Sequence, residues 1–294
     1  MKPNMKILVT GASGQLGKCI QDSSLCSSHD FIFTDIKAAG DVAALDVTDA
    51  AAVERAVKEN EVSVIINCVA YTDVEKAESE PQAAEKLNVV AVKNLAAAAA
   101  SADALLIHFS TDYVFDGTAC RPYAEDAVPS PVNVYGRTKL EGENAIISSG
   151  CRHLIFRTSW LYSGYGRNFF LKMADLTADT PQLDVVVDQV GTPTWASDLA
   201  DAVIAILEED LDCEWGVYNY SGEGVCSWYD FAKEICAGLG HLCDIRPCAS
   251  ADYPTAAPRP PFSVLDNTRF KKVFGIEIPH WRESLLSCIA LQQD

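Results

Sequence analysis

Positive charge is scarce in this chain of 294 residues: 23 lysines and arginines stand against 41 aspartates and glutamates, a net charge of −18. That deficit excludes a nucleic-acid partner, because such affinity comes mainly from Lys and Arg neutralising phosphates. Long hydrophobic runs are absent as well. Apolar stretches such as VSVIINCVA (62–70) and HLIFRTSWLY (153–162) fall far short of the ~20 residues a membrane-spanning helix needs, so no membrane partner is expected. No CxxC pair occurs among the 11 cysteines, which are scattered from Cys19 to Cys288, the nearest two being Cys243 and Cys248. They read as small core-filling thiols in a reducing compartment, with no disulfide framework and no metal site. The start, MKPNMKILVTGASG, has no apolar segment ending in a cleavage site, and a cytoplasmic location is expected. What is present, 49% hydrophobic residues, is ample for a core and suits a binder of small molecules.

The first two-thirds of the chain alternates short apolar runs with helical stretches. KILVTGA (6–12), FIFTDI (31–36), VSVIINCVA, LLIHFSTDYVF (105–115) and HLIFRTSWLY read as strands buried on both faces. Between them lie the helical segments QLGKCIQDSSL, TDAAAVERAVKEN, the Ala-rich PQAAEKLNVVAVKNLAAAAASA and NVYGRTKLEGENAII. This order predicts an α/β protein with a Rossmann-type, doubly wound parallel sheet and right-handed crossovers. Residues 1–162 form the dinucleotide-binding domain, completed by segments of about 182–221, where LDVVVDQV (183–190) reads as a strand, SDLADAVIAILEED (197–210) as a helix and VYNYSG (217–222) as a strand. Residues of about 163–181 and 222–294 form a small C-terminal α/β substrate lobe, with helices expected at SWYDFAKEICAGLG (227–240) and from Trp281 onward.

VTGASGQLGKCI places Gly11, Gly14 and Gly17 directly after the first strand and at the opening of the first helix. One glycine makes a tight turn, one lets a pyrophosphate approach the backbone, and one lets helix and strand pack closely. The loop residues Ser13, Gln15 and Leu16 belong to the same expected cofactor site. Asp35 ends the second strand 18 residues after Gly17, near the spacing of a carboxylate that binds an adenosine ribose. An acid there favours NADH over NADPH, and Lys18 and Lys37 soften that preference.

FSTDYVFDG puts Ser110, Thr111, Asp112 and Tyr113 at the carboxyl edge of the sheet, where doubly wound folds bind ligands. Tyr135 follows 24 residues after Thr111, and Lys139 lies four residues further, on the same helical face. A neighbouring ammonium favours the phenolate and lowers a phenol's pKa, so this pair is expected to do acid–base work. Thr111 could bind the same substrate oxygen, and a nicotinamide could deliver hydride to the carbon that bears it.

Together, TGASGQLG, NCVAYTDVEKAE (67–78), STDYVFDG (110–117), YGRTKLEGE (135–143), RTSWLY (157–162) and DQVGTPTW (188–195) resemble the dTDP-4-dehydrorhamnose reductase family, a branch of the extended short-chain dehydrogenases/reductases. The resemblance runs through nearly the whole chain. It implies reduction of a dTDP-linked 4-keto sugar by NADPH or NADH, for cell-surface polysaccharide. It also implies that Tyr135 is the proton donor, that Lys139 holds the nicotinamide ribose, and that Thr111 binds the keto oxygen. By the same resemblance Asp46 and the adjoining Val47 sit near the adenine, Ala70 and Tyr71 run along the cofactor, and Asn88 comes from the following helix. Tyr113 and Trp160 shape the sugar pocket, and Asn168 lies near the diphosphate.

Bland readings stand beside these. Trp160 equally fits a core aromatic, Asn168 a helix cap before FFLKM, and Arg259 either a substrate-phosphate contact or a brace of its loop. Some family members are dimers bridged by magnesium through an acid just after the last glycine. Lys18 and Cys19 stand there, so no metal is expected, and the chain is read as a monomer or homodimer. Two other functions fit the same motifs: reduction of another nucleotide-linked 4-keto sugar, and a regulatory subunit resembling the β subunit of methionine adenosyltransferase. Intact Thr111, Tyr135 and Lys139 favour the enzyme.

Overall fold

The computed structural model describes residues 4–209 and 214–293. Its central sheet has seven parallel strands: β1 (Lys6–Thr10), β2 (Asp30–Asp35), β3 (Ala43–Ala44), β4 (Val64–Asn67), β5 (Leu105–Thr111), β6 (His153–Thr158) and, much later, β11 (Gly216–Asn219). Every residue of β4 and β5 is buried, which is why they read as unbroken apolar runs and not as alternation. The order β11-β6-β5-β4-β1-β2-β3 reverses between β1 and β4, and this opens a crevice at their carboxyl ends.

One face of the sheet is covered by α1 (Gln15–Ser24) and α8 (Ala196–Glu208), packed around Ile7, Val9, Ile20 and Leu199. The other is covered by α2 (Ala50–Glu59), α5 (Ala91–Ala102) and α6 (Val134–Ser149), around Leu8, Ile65, Val92 and Ile146. The alanines of α5 leave room for close approach, with Ala96 and Ala99 fully buried. Between β4 and α5 run α3 (Val74–Ser79), α4 (Pro81–Glu85) and a single wide turn at Lys86–Val90 that carries Asn88.

The remaining elements are short. A pair joins β7 (Leu161–Tyr162) to β10 (Thr194–Trp195), another joins β8 (Gln182–Val186) to β13 (Asp244–Cys248), and a third joins β9 (Val190–Gly191) to β12 (Cys226–Ser227). With α7 (Phe169–Asp179), α9 (Trp228–Gly238) and α11 (Trp281–Gln293) they enclose a separate core of Tyr162, Phe170, Phe231, Trp281 and Leu285.

Two boundaries need correction. The expected completing stretch 182–221 supplies α8 and β11 to the main sheet, but β8 pairs with β13 away from it. Gln182, Leu183 and Asp184 keep solvent exposure, so the run lacks the two-sided burial that the central sheet demands. Conversely α10 (Thr268–Phe274), within the stretch 222–294, packs on the main core, because Phe270 meets Phe156 edge-on and Phe274 lies against Tyr218. Asp210, expected to end the helix now seen as α8, and Cys213 lie outside the described residues.

Helix α6 is seated with unusual closeness. Its start is fixed by Asn133, whose side chain accepts from the Gly136 amide at 2.8 Å. A Cβ on Gly136 would fall 2.1 Å from the Tyr113 carbonyl, and one on Gly142 would fall 2.4 Å from the Asn88 carbonyl, so only glycine allows this approach. Next to Gly142, the buried Glu143 receives Arg157 Nη2 at 2.7 Å and Nε at 3.0 Å, together with the Ser110 hydroxyl. Removing one partner of such a pair leaves an uncompensated charge. Arg157→Met is therefore expected to cost about 3–5 kcal/mol in urea unfolding, whereas a loss of about 0–1 kcal/mol, the worth of an exposed pair, would contradict this reading.

Candidate active site

The glycine loop is as tight as its spacing implies. Gly11 has φ +71°, and a Cβ there would stand 2.9 Å from the Cys68 carbonyl carbon. Gly17 packs so near the Gly11 carbonyl that a Cβ would meet it at 2.3 Å. Helix α1 begins after Gly14 with no side-chain cap, so its first amides are left for an anion. Asp35 accepts from the Ser13 amide at 2.9 Å and from the Ile36 amide at 2.7 Å, which ties the end of β2 to the loop. This bare, Cβ-free cradle fits a dinucleotide diphosphate.

A cleft of about 400 Å³ opens from this loop across the ends of β4 and β5. Gly14, Gln15, Leu16 and Ala70 line its cofactor side, and Thr111, Tyr113, Tyr135 and Lys139 line its centre. Trp160, Asn168 and Arg259 close the far side. Other expected residues stand outside that lining. Asp46 accepts from the amide and hydroxyl of Thr48, which hold its carboxyl below the usual range, and the Val47 carbonyl accepts from Asn94. Tyr71 turns its hydroxyl to Glu80 at 2.6 Å, its ring packing in a cluster with Ala77 and Val134. Asn88 is buried; it receives the Tyr71 amide at 2.8 Å and donates to the Tyr71 carbonyl and to Thr138, so it ties the loop after β4 to α6.

At the centre, Thr111 Oγ1 donates to Asp112 Oδ1 at 3.0 Å, and it lines the cleft together with the Tyr135 phenol. The Tyr113 ring meets Tyr135 edge-on, with centroids 6.0 Å apart. The expected tuning of Tyr135 by Lys139 is not what this arrangement shows. Lys139 Nζ is turned to the Phe109 carbonyl at 2.5 Å, and burial pushes the Tyr135 phenol above its ordinary pKa, with the Thr111 hydroxyl opposing. The phenol is thus held protonated, the state a proton donor needs. Burial lowers Lys139 to about 8, with Glu143 opposing.

On the far side Trp160 takes φ +47°, a left-handed conformation costly for a bulky residue. Its indole stacks on Trp228 at 3.5 Å between centroids, and Gly191 leaves it room. Asn168 caps α7 by accepting from Leu171 at 3.0 Å, and it also donates to Gln15 Oε1 at 2.8 Å, so the cap spans the cleft. Arg259 donates to the Tyr113 hydroxyl at 3.0 Å and pairs with Glu75.

Trp228, Glu75 and Asp112 were given no role by sequence. Trp228 reads as the first residue of a capped helix, and Glu75 as part of a solvated charge run; only the fold brings them here.

A family model described as RmlD substrate binding domain matches residues 5–293. The chain belongs to this family. It is 39% identical over 289 residues to the dTDP-4-dehydrorhamnose reductase of Mycolicibacterium smegmatis, covering 97% of this chain and 85% of that one. It is 37% identical over 285 residues to that of Salmonella typhimurium, covering 94% of each. Among solved structures, a dTDP-4-dehydrorhamnose reductase from Clostridium acetobutylicum superposes with a TM-score of 0.92 at 42% identity, over 99% of this chain and 100% of that one. One from Bacillus anthracis in complex with NADP gives 0.91 at 33% identity, over 98% and 100%. A Thermus thermophilus UDP-glucose 4-epimerase, at 19% identity and 0.82, shares the fold.

Asp112 supplies the pH prediction for this family member. Burial raises its carboxyl to about 7, and its Oδ2 has no partner. Its unfolded value is near 3.9, so between the two the native state binds more protons and stability falls as pH rises. Asp112→Asn should therefore raise the melting temperature relative to wild type at about pH 8 and give little or no gain at about pH 4. An equal effect at both would contradict the assignment.

Proposed function

We propose that this protein reduces the 4-keto group of dTDP-4-dehydro-β-L-rhamnose to give dTDP-L-rhamnose, for cell-surface polysaccharide, using NADPH or NADH. The observation that carries the reading is the protonated Tyr135 phenol sharing with Thr111 the cleft that begins at the glycine loop. Relatives named for this reaction match almost the whole chain, and a structure of one holds NADP.

A reduced nicotinamide bound in this cleft would supply hydride for the carbonyl carbon. Tyr135 gives its phenolic proton to the developing alkoxide, and Thr111, its hydroxyl turned from Asp112, donates a second hydrogen bond to the same oxygen. The phenolate then recovers a proton from solvent. Lys139 serves the nicotinamide ribose, and Asp35 the adenosine ribose, where it tilts preference toward NADH. Gly11, Gly14, Gly17 and the α1 amides hold the diphosphate; Ser13, Gln15, Leu16, Asp46, Val47, Ala70, Tyr71 and Asn88 complete or support the cofactor site. Tyr113, Trp160, Asn168 and Arg259 belong to the sugar-nucleotide side, in the lobe built around α7 and α9.

The protein works in the cytoplasm as a monomer or homodimer; no described helix is long and apolar enough to cross a membrane, and the described cysteines are free thiols.

The test follows nicotinamide absorbance with the dTDP-keto sugar made in situ, NADH and NADPH being run separately. Tyr135→Phe should lower kcat/KM about 10²–10⁴-fold while nicotinamide binding survives. Absence of turnover by the wild type with either cofactor would sink the reading.

A further inference from the structure

Lys139 ends a buried chain of polar groups that crosses three strands, and the direction of each hydrogen bond in it is fixed. The Val69 amide, which can only donate, meets Asn67 Oδ1 at 3.0 Å, and the Thr10 hydroxyl donates to the same oxygen at 2.9 Å. Asn67 Nδ2 therefore faces the other way, toward His108 Nδ1 at 3.0 Å. An amide nitrogen only donates, so Nδ1 must accept. Burial holds His108 far below its usual pKa, so the ring is neutral and its one proton sits on Nε2. That Nε2–H points at Lys139 Nζ, 3.4 Å away.

An ammonium has three donors and no lone pair, so it cannot meet an N–H there. An amine can: it accepts from His108, donates to the Phe109 carbonyl, and keeps one N–H over. The other ionisable groups around it do not reverse this. Glu143, on the same helix, is engaged by Arg157 and Ser110; Tyr135 is protonated; Asp112, beyond the end of β5, is hydrogen-bonded by Thr111.

We propose that in mildly alkaline solution His108 stores Lys139 as a neutral amine in the cofactor-free protein, and that Lys139 takes up one proton from solvent when NAD(P)H draws it off the imidazole. The lone pair released from the His108 N–H forms the new N–H bond, and the resulting ammonium is the form suited to ribose oxygens. His108 is thus a positioning residue, acting through Lys139. The inference rests on the reductase reading for the place of Lys139, but its first test needs no turnover.

That test is the nitrogen-15 spectrum of the imidazoles in the cofactor-free protein, with His108 identified by its loss in His108→Gln or, should that variant not fold, by correlation to its backbone. At about pH 9 His108 should show a bare Nδ1 and a protonated Nε2. A proton on Nδ1, or an imidazolium, would overturn the proposal even in a working reductase.

The second test is calorimetry of NADPH binding in two buffers of different ionisation heat. Proton uptake should be small at about pH 7 and approach one per site at about pH 9. In His108→Gln, whose amide oxygen can accept from an ammonium, uptake at the higher pH should fall. Binding by the wild type without uptake at the higher pH would refute the stored amine. Failure of NADPH to bind would instead count against the reductase reading, leaving the tautomer to decide this one.

Discussion

The nearness of α6 to the end of β5 is the constraint on which the site depends. Two glycines set it: Gly136 lies against the Tyr113 carbonyl, and Gly142 against the Asn88 carbonyl. The Glu143–Arg157 pair then fixes the helix to β6 in depth and rotation. Tyr135 and Lys139 project from the same face of that helix, so their distances from Thr111 and His108 follow from its seat. A helix held a few tenths of an ångström farther out would take Lys139 Nζ, already 3.4 Å from His108 Nε2, beyond hydrogen-bond reach.

Burial makes this site chemically specific. It raises Tyr135 and Asp112 and lowers Lys139 and His108, moving each group toward its uncharged form. A cleft poised in this way favours a bound ligand that supplies charge of its own. Across the cleft, the Asn168–Gln15 bond joins the cap of α7 to the first turn of α1, so the two sides meet where the phosphates are expected. The strained Trp160 backbone, worth about 1–3 kcal/mol, is offset by stacking on Trp228 and marks that wall as built for shape.

Much of this was legible in sequence because it rests on local rules. Apolar runs gave the central strands, glycine spacing gave the loop, and Tyr135 with Lys139 followed from helical period. The strand at 182–186 was misplaced because VVV reads as buried while its neighbours Gln182 and Asp184 are exposed. Lys139 was read as the tuner of Tyr135 from spacing alone; which way its amine turns depends on His108, contributed by a strand distant in sequence. Trp228 shares that limit, since it meets Trp160 only through the fold.

The most direct measurement is a crystal structure with NADP and dTDP-L-rhamnose bound together. This account predicts the sugar's C4 hydroxyl within hydrogen-bond reach of both Tyr135 Oη and Thr111 Oγ1, with Lys139 Nζ moved from His108 to the nicotinamide ribose. A sugar seated in the cleft with its C4 oxygen away from Tyr135, or a lysine still on His108 beside a bound ribose, would contradict it.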